Sequence, residues 1–441
     1  MTVTIALFTR DLRVRDNPVL TAAHREGTAV VPLFVLDDAI LSGRFAAVNR
    51  AHFLAAALAE LDAELRAIGG RLVLRRGDVV AEVDRVAAEV RAASVHIAAD
   101  VSGYSTRRER ALRERLAPRD CLVHAHATTI TVADPEALVP STGRDHFAVF
   151  TPYFRRWCAA HRRTPFGKPR ELTVPKAASM PLPDAAALHS GRPSPQLDIG
   201  GETSGRKKMR EWLSGPIGDY ARHSDDLAAD ATSRLSPYLH FGCVSAAELV
   251  HRVDASTDGG YAFVRQLAWR DFHHQVLAAR PAAAWSDYHA RSIPWRHDPR
   301  AVTAWREGRT GHPIVDAGMR QLRAQGWMPG RARLITASFL AKSLRVDWRV
   351  GAEHFLHWLV DADLANNQLN WQWVAGTGTD TRPNRVLNPL RQAERYDPNG
   401  DYVRLWVPEL AHLPGARVHR PWRENVDPAD YPAPIVDCVG M

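Results

Sequence analysis

The sequence predicts an α/β N-terminal domain with a Rossmann-like parallel sheet, joined by a long linker to an all-α C-terminal domain. Three observations carry that expectation. Over residues 1–130 short β-branched runs alternate with amphipathic stretches, the pattern of a parallel sheet with helices on both faces. Residues 131–205 include a stretch rich in Pro, Gly and Ser, 165–205, with no hydrophobic period. Residues 206–441 keep a helical period and lack strand-like alternation. At 441 residues the chain also exceeds what one hydrophobic core usually covers.

In chain order, strands are expected at "VTIALF" (3–8), "AVVPLFVLD" (29–37), "RLVLRR" (71–76), "SVHIAAD" (94–100) and "CLVHAHA" (121–127). Between the second and third, residues 48–70 read as a helix. Phe53, Leu54, Ala57, Leu58, Leu61 and Leu65 form its apolar stripe, and Gly69 and Gly70 end it. "TRDLRVRDNPVL" follows the first strand where a dinucleotide-binding protein would carry G-x-G-x-x-G, so that fingerprint is absent. Helices are expected in "RKKMREWLSG", "SAAELVHRV", "YAFVRQLAWRDFHHQVLAARP", "HPIVDAGMRQLRAQG", "RARLITASFLAKSL" and "AEHFLHWLV". Eleven of the thirteen tryptophans lie from Trp269 onward.

Composition narrows the function classes. No run of about 18 apolar residues exists, so no membrane span is expected. The first apolar run is too short and too quickly followed by charge to be a signal peptide. The four cysteines are scattered, without zinc or iron–sulfur spacing, which fits a reducing cytoplasm. The net charge of +8 suits a polyanionic partner, since each neutralised phosphate releases counterions; an Arg-rich proteome gives the same balance.

Four stretches carry candidate chemistry. "DADLANNQLNWQW" (361–373) crowds amides and two tryptophans together. On a helix Asn367 and Trp371 share a face while Trp373 turns to another partner. Two core tryptophans, with amides capping neighbouring helices, would look the same. "ATSRLSPYLHFG" (231–242) gathers Thr232, Ser233, Arg234 and Ser236 before Pro237, with Ser236 as the expected N-cap. Hydroxyls, free N–H groups and a guanidinium at a helix start make a phosphate cradle, or simply a well-capped helix. "QLAWRDFHHQ" places Gln266, Trp269 and Arg270 within about one turn, suited to a planar heterocycle beside a phosphate. "WREGRTGHPIVDAGMRQL" starts a helix at Pro313 and offers an Asp316–Arg320 pair, which reads as structural rather than catalytic.

In order and spacing, "FTRDLRVRDNPVL", "TSRLSPYLHFG", "QLAWRDF", "TGHPIVDAGMRQL", "RARLITASFLAKSLRVDWR", "DADLANNQLNWQWVAGTGTDT", "RVLNP" and "YVRLWVPEL" resemble the cryptochrome/photolyase family. The closest likeness is to its class I cyclobutane pyrimidine dimer photolyases. The resemblance implies FAD in the helical domain. Thr232, Ser233, Arg234, Leu235 and Ser236 would hold its pyrophosphate with Tyr220 nearby, and Arg270 would help hold the cofactor. Arg333 and Asp361 would pair beside the isoalloxazine, with Asp363 close and Asn367 facing the flavin edge. In this reading the amides of 361–373 address a flavin and the tryptophans address electrons. Trp371, Trp348 and Trp305, in that order outward, would form an electron relay. The implied partner is UV-damaged DNA, the implied reaction light-driven splitting of the dimer by reduced FAD. Trp269 and Trp373 would sandwich the flipped dimer, Gln266 would hydrogen-bond it and Arg331 would reach the phosphates. An antenna, 8-hydroxy-5-deazaflavin or methenyltetrahydrofolate, would sit near the N-terminal domain. A monomer is expected.

Two positions depart from the family pattern. Gln266 stands where dimer photolyases commonly carry glutamate, and a glutamine cannot release a proton. After "GWM" a polar pair, usually His-Asn, is replaced by Pro329 and Gly330. The (6-4) enzymes of the family use histidines around this segment, and neither Pro329 nor Arg333 is one, which argues against (6-4) repair. These departures keep two alternatives in view: a cryptochrome-like light sensor, and a DNA-binding protein with a vestigial flavin.

Overall fold

The computed structural model describes residues 2–424 and 426–438. Five parallel strands, β1 (Val3–Phe8), β2 (Ala29–Asp37), β3 (Val73–Gly77), β4 (Ser94–Ala98) and β5 (Leu122–His126), lie in the order β3-β2-β1-β4-β5. β1 pairs with β2 from Val3↔Ala29 and with β4 from Thr4↔Ser94. β1 and β2 are buried along their whole length, which is why they read as near-continuous apolar runs. Odd residues of β1 (Val3, Ile5, Leu7) pack on the Val79–Val90 and Gly103–Leu116 helices. Even residues Ala6 and Phe8 face Phe53, Leu58 and Leu61 of the Val48–Arg66 helix. Chain order reverses between β1 and β4, so a crevice opens at their C-terminal ends, where open α/β sheets bind ligands.

The 48–66 helix ends earlier than its glycines suggest. Residues 67–69 form a turn that Gly69 closes at φ +81°, and the Gly70 N–H returns to the Leu65 carbonyl at 2.9 Å. Between 131 and 205 the Phe150–Ala159 helix packs on the long Asp258–Ala279 helix. Residues 160–201 carry little regular structure but are tethered: Val30 N–H to Thr173 O, Leu172 N–H to Ile68 O, Gln196 N–H to Ala324 O. From Glu202 every regular element among the described residues is helical. The face of the sheet that carries Phe8 shares one continuous core with Leu235, Tyr238, Phe263 and Phe272 of the helical half. A second core, around Trp305, Trp348, Phe355 and Trp371, belongs to the helical half.

One expected contact is replaced. Asp316 does not pair with Arg320. It is fully enclosed and accepts bonds from Thr310 N, Thr310 Oγ1, Gly311 N and Tyr431 OH, while Arg320 reaches Glu409 at 2.7 Å. Backbone donors within the fold outcompete the flexible i,i+4 partner.

Candidate active site

The 232–236 segment sits over Trp327. The Arg234 guanidinium lies 4.4 Å from the centre of that indole and also binds Asp230 and Gln325. Arg234 holds φ at +49°, a strained value for a side chain other than glycine. Ser236 is not the N-cap. Leu235 occupies the cap position, Ser236 opens the short Ser236–His240 helix, and its Oγ accepts the Trp327 Nε1–H at 3.1 Å. The indole donor takes the hydroxyl that capping would have used. Trp327 is followed by Met328, whose carbonyl accepts from Arg333 Nε at 2.9 Å, and Arg333 pairs with Asp361 at 2.8 Å, as expected. Tyr220 belongs to the same neighbourhood. Burial, then the Asp225 charge, pushes its hydroxyl up to about 12, and Asp225 binds Arg331 at 2.6 Å.

The segment at 361–373 forms a helix, Leu364–Ala375, capped by Asp363, which accepts from Asn366 N at 2.8 Å. Most of its amides do not address a ligand. Gln368 Nε2 donates to Ala284 O, Gln372 Nε2 donates to Ala283 O, and Gln372 Oε1 accepts Tyr288 N–H. The end of the Pro281–Ala284 3-10 helix and the loop after it have backbone groups to satisfy, and these two glutamines satisfy them. Asn367 is buried on the Trp371 face, as its spacing implies, and donates to Ala352 O at 3.1 Å.

Trp371 stands in edge contact with Phe355 (4.9 Å between ring centres) and Trp305 (6.1 Å). A Cβ on Gly351 would lie 2.1 Å from the tip of the Trp371 ring, so the Trp348–Trp358 helix touches that ring one turn after Trp348. Trp305 cannot be an outer end of a relay: it is 0% exposed, beside Trp371, and donates to Thr336 O at 3.0 Å. The apolar stripe of the Pro299–Glu307 helix draws it into the core. Sequence reasoning passed over Trp295. It is partly buried, packs on the core that holds Trp348, and its neighbour Arg296 donates its N–H to Arg345 O at 2.7 Å. The signal available was an isolated tryptophan in a loop otherwise poor in apolar residues, "RSIPWRHDP".

Gln266 is exposed on the Asp258–Ala279 helix, and Trp269 is half-buried one turn on, stacked flat on Phe150 at 3.7 Å. Trp373 is half-buried against the second core, with Arg385 over its ring at 5.6 Å. The two walls thus come from helices that pack together but belong to different cores. Arg331 lies over Tyr396 at 4.3 Å. Pro329 precedes the Gly330–Ser338 helix, and a Cβ on Gly330 would meet nothing within 4 Å. Arg270 departs from its expected role. Its guanidinium is committed to the carbonyls of Ile130 (2.8 Å) and Leu239 (3.4 Å), and burial lowers its pKa, so it ties the two halves together instead of waiting for a ligand.

A cavity of about 770 Å³ opens at the crevice between β1 and β4, walled by Phe8, Phe34, Tyr104, Phe241 and Trp285 and edged by Arg10 and Asp100. A second cleft of about 520 Å³, lined by Arg15, Phe166, Lys168, Arg206 and Arg252, holds none of the expected site residues.

The residues fit a flavin nucleotide on one direct observation. Thr232 Oγ1 and Asp361 Oδ1, both expected at the flavin, and Trp371 Nε1 of the expected relay are buried polar atoms without a protein hydrogen-bond partner; Arg331 Nε, expected at the DNA backbone, is another. Buried donors and acceptors are normally satisfied, so a bound group that offers both donors and acceptors suits this set.

Comparisons with known proteins agree. Residues 4–174 match the family model described as DNA photolyase, and residues 263–440 the one described as the FAD binding domain of DNA photolyase. The chain is similar to a deoxyribodipyrimidine photo-lyase of Streptomyces griseus, 59% identical over 99% of this chain and 97% of that one. It superposes on a bacterial class III photolyase from Agrobacterium tumefaciens with a TM-score of 0.91 (32% identity, 99% and 94% coverage). It also superposes on an archaeal photolyase from Sulfolobus tokodaii carrying two FAD molecules, with a TM-score of 0.88 (32% identity, 100% and 97% coverage).

Proposed function

The chain belongs to the DNA photolyase family, and from that premise we propose that it repairs cyclobutane pyrimidine dimers in DNA with light, as a deoxyribodipyrimidine photo-lyase. The observation that carries this reading is the 59% identity, over nearly the whole of both chains, to a protein of that name. When bound, reduced FAD supplies the photo-excited electron that splits the dimer. The protein's residues do the rest. Thr232, Ser233, Leu235 and Ser236, with Arg234, cradle the cofactor phosphates, and Tyr220 closes the site beside them. Asp361, held by Arg333, keeps an acceptor beside the ring, and Asn367 presents a neutral amide to the flavin edge. Trp371 Nε1–H is buried with no protein acceptor.

Photolyases extrude their target base, which is a known property of the class. Trp269 and Trp373 supply apolar walls for the extruded dimer, Gln266 an amide for its polar edge, and Arg331 a cation for the backbone. The +8 net charge supports a polyanionic substrate. Trp371, Trp348 and half-buried Trp295 form the outward path for recharging, with Trp305 as an inner neighbour of Trp371. The 770 Å³ cavity at the β1–β4 crevice holds the antenna. Its aromatic walls and flanking arginines suit a flat anionic ring such as 8-hydroxy-5-deazaflavin, with methenyltetrahydrofolate as the other candidate. The protein acts as a monomer in the cytoplasm; no helix among the described residues is long and apolar enough to cross a membrane.

Binding tests the walls directly. Trp269→Ala and Trp373→Ala each weaken binding to UV-irradiated oligo(dT) by about tenfold, from lost base–aromatic stacking, and leave binding to unirradiated oligo(dT) unchanged. Equal loss on both DNAs would contradict the assignment.

A further inference from the structure

The β1–β4 crevice and the expected flavin helix share one cluster of charge, in which Asp100 and Asp363 are nearly enclosed and Arg10, at 23% exposure, faces the cavity. Arg10 leaves the end of β1 and lines the interdomain cavity. Its Nη1 meets Asp100, at the wall of the same cavity, at 3.4 Å, and its Nε donates to His240 O at 3.2 Å. Its Nη2 pairs with Asp363 across the domain boundary. Asp363 Oδ1 is already used: it accepts both the N–H and the side-chain amide of Asn366 and so caps the Leu364–Ala375 helix. The other oxygen, Oδ2, takes Arg10 and lies 3.4 Å from His274 Nε2. Four residues further along this helix stands Asn367, and eight along stands Trp371.

Burial works against the Arg10 charge, but Asp100 and Asp363 outweigh it and raise its pKa. Burial works against the Asp363 charge too, yet His274 and Arg10 hold it well below the usual carboxylate range. Both groups are therefore ionised at neutral pH. Partly withdrawn from bulk water, one such charge acts on another nearby more strongly than at an open surface. The sheet domain thus delivers a fixed cation to the cap of the helix that carries the redox-facing side chains.

We propose that Arg10 is a positioning residue for the flavin: clamped between Asp100 and Asp363, it fixes the start of the 364–375 helix and supplies the positive charge that favours the reduced, anionic cofactor. The inference rests on the FAD reading of the preceding section. It gives the N-terminal domain a role in the redox chemistry of the helical domain beside any role in light harvesting.

The test is the midpoint potential of the bound FAD, followed spectroelectrochemically on full-length holoprotein. Removing the cation with Arg10→Met leaves Asp363 less compensated, so the potential moves negative and the FAD dissociation constant rises about tenfold. Arg10→Lys restores most of both, since the charge returns. Asp100→Asn removes a neighbouring anion and moves the potential the opposite way, positive. General loosening of the fold would move both variants in the same direction, and that result, or no shift in either, overturns the proposal. Where Arg10→Met does not fold, the Arg10→Lys and Asp100→Asn proteins decide it by the sign of the Asp100→Asn shift. A wild-type protein that takes up no FAD refutes the flavoprotein reading itself, an outcome distinct from equal potentials among loaded variants.

Discussion

Gln266 presents its amide to solvent on the Asp258–Ala279 helix, one turn before Trp269. An amide can donate and accept but cannot lose a proton, whereas a glutamic acid can do both. Gln266→Glu, on an exposed helical position, changes stability by less than about 0.5 kcal/mol. It should raise the repair quantum yield below neutral pH, where the carboxyl is partly protonated; an unchanged yield would remove Gln266 from the proton account. The tryptophans divide by environment. Trp371→Phe and Trp295→Phe should abolish photoreduction of oxidised FAD while chemically reduced protein still repairs. Trp305→Phe should keep photoreduction and lose about 1–2 kcal/mol of stability, mainly from the lost bond to Thr336 O. Photoreduction lost in Trp305→Phe and kept in Trp295→Phe would reverse the assignment. At this scale residue identity was legible but direction was not. Nothing in "AWREGRTG" says that Trp305 points into the core, and nothing in "NNQLNWQW" says which amide meets backbone. That depends on the end of a short 3-10 helix 84 residues away.

Elements were the most legible level, because period follows burial. The β1 and β2 runs are nearly continuously apolar since both faces of the central sheet are covered. The start of the 364–375 helix was not legible: the stretch reads as helical from 361, and the backbone starts the helix at Leu364 with Asp363 as its cap. One element carries a pH dependence. His96 on β4 is buried, its Nε2 is 3.2 Å from Glu26, and its Nδ1 shares a hydrogen bond with His126 of β5 at 3.0 Å. His124 stacks on it at 5.0 Å. Burial first, with the two neighbouring histidines, lowers its pKa to about 4 against the Glu26 charge. The unfolded chain takes up a proton near pH 6.5 while folded His96 resists until about 4, so the unfolded state binds more protons in between. Stability is therefore full above pH 6.5 and falls as the pH drops toward 4, by up to about 3 kcal/mol. His96→Gln should flatten that slope in urea titrations run across the window; an unaltered slope would assign it to other groups.

The whole molecule is held together by a loop the sequence marked but did not explain. Residues 9–17 follow β1 where a phosphate-binding turn would lie, and they bind the other half of the chain instead. Arg13 is 1% exposed and donates to the carbonyls of Asp16, Thr129 and Gly242. Leu12 N–H reaches Phe241 O at 3.1 Å, and Glu202 accepts the Val14 N–H at 2.6 Å. Such long-range partners have no local period, so no reading of spacing reveals them. They also explain why the two halves share a core, and why the cavity and the 364–375 helix meet at Arg10. The central claim, that FAD held in the helical half drives repair of extruded dimers, has one direct measurement. Reduced holoprotein is mixed with dimer-containing oligo(dT), lit with blue light, and followed by absorbance in the thymine band. Recovery of that absorbance only in the light is the expected result. A yellow, FAD-loaded protein that leaves the absorbance flat would contradict it.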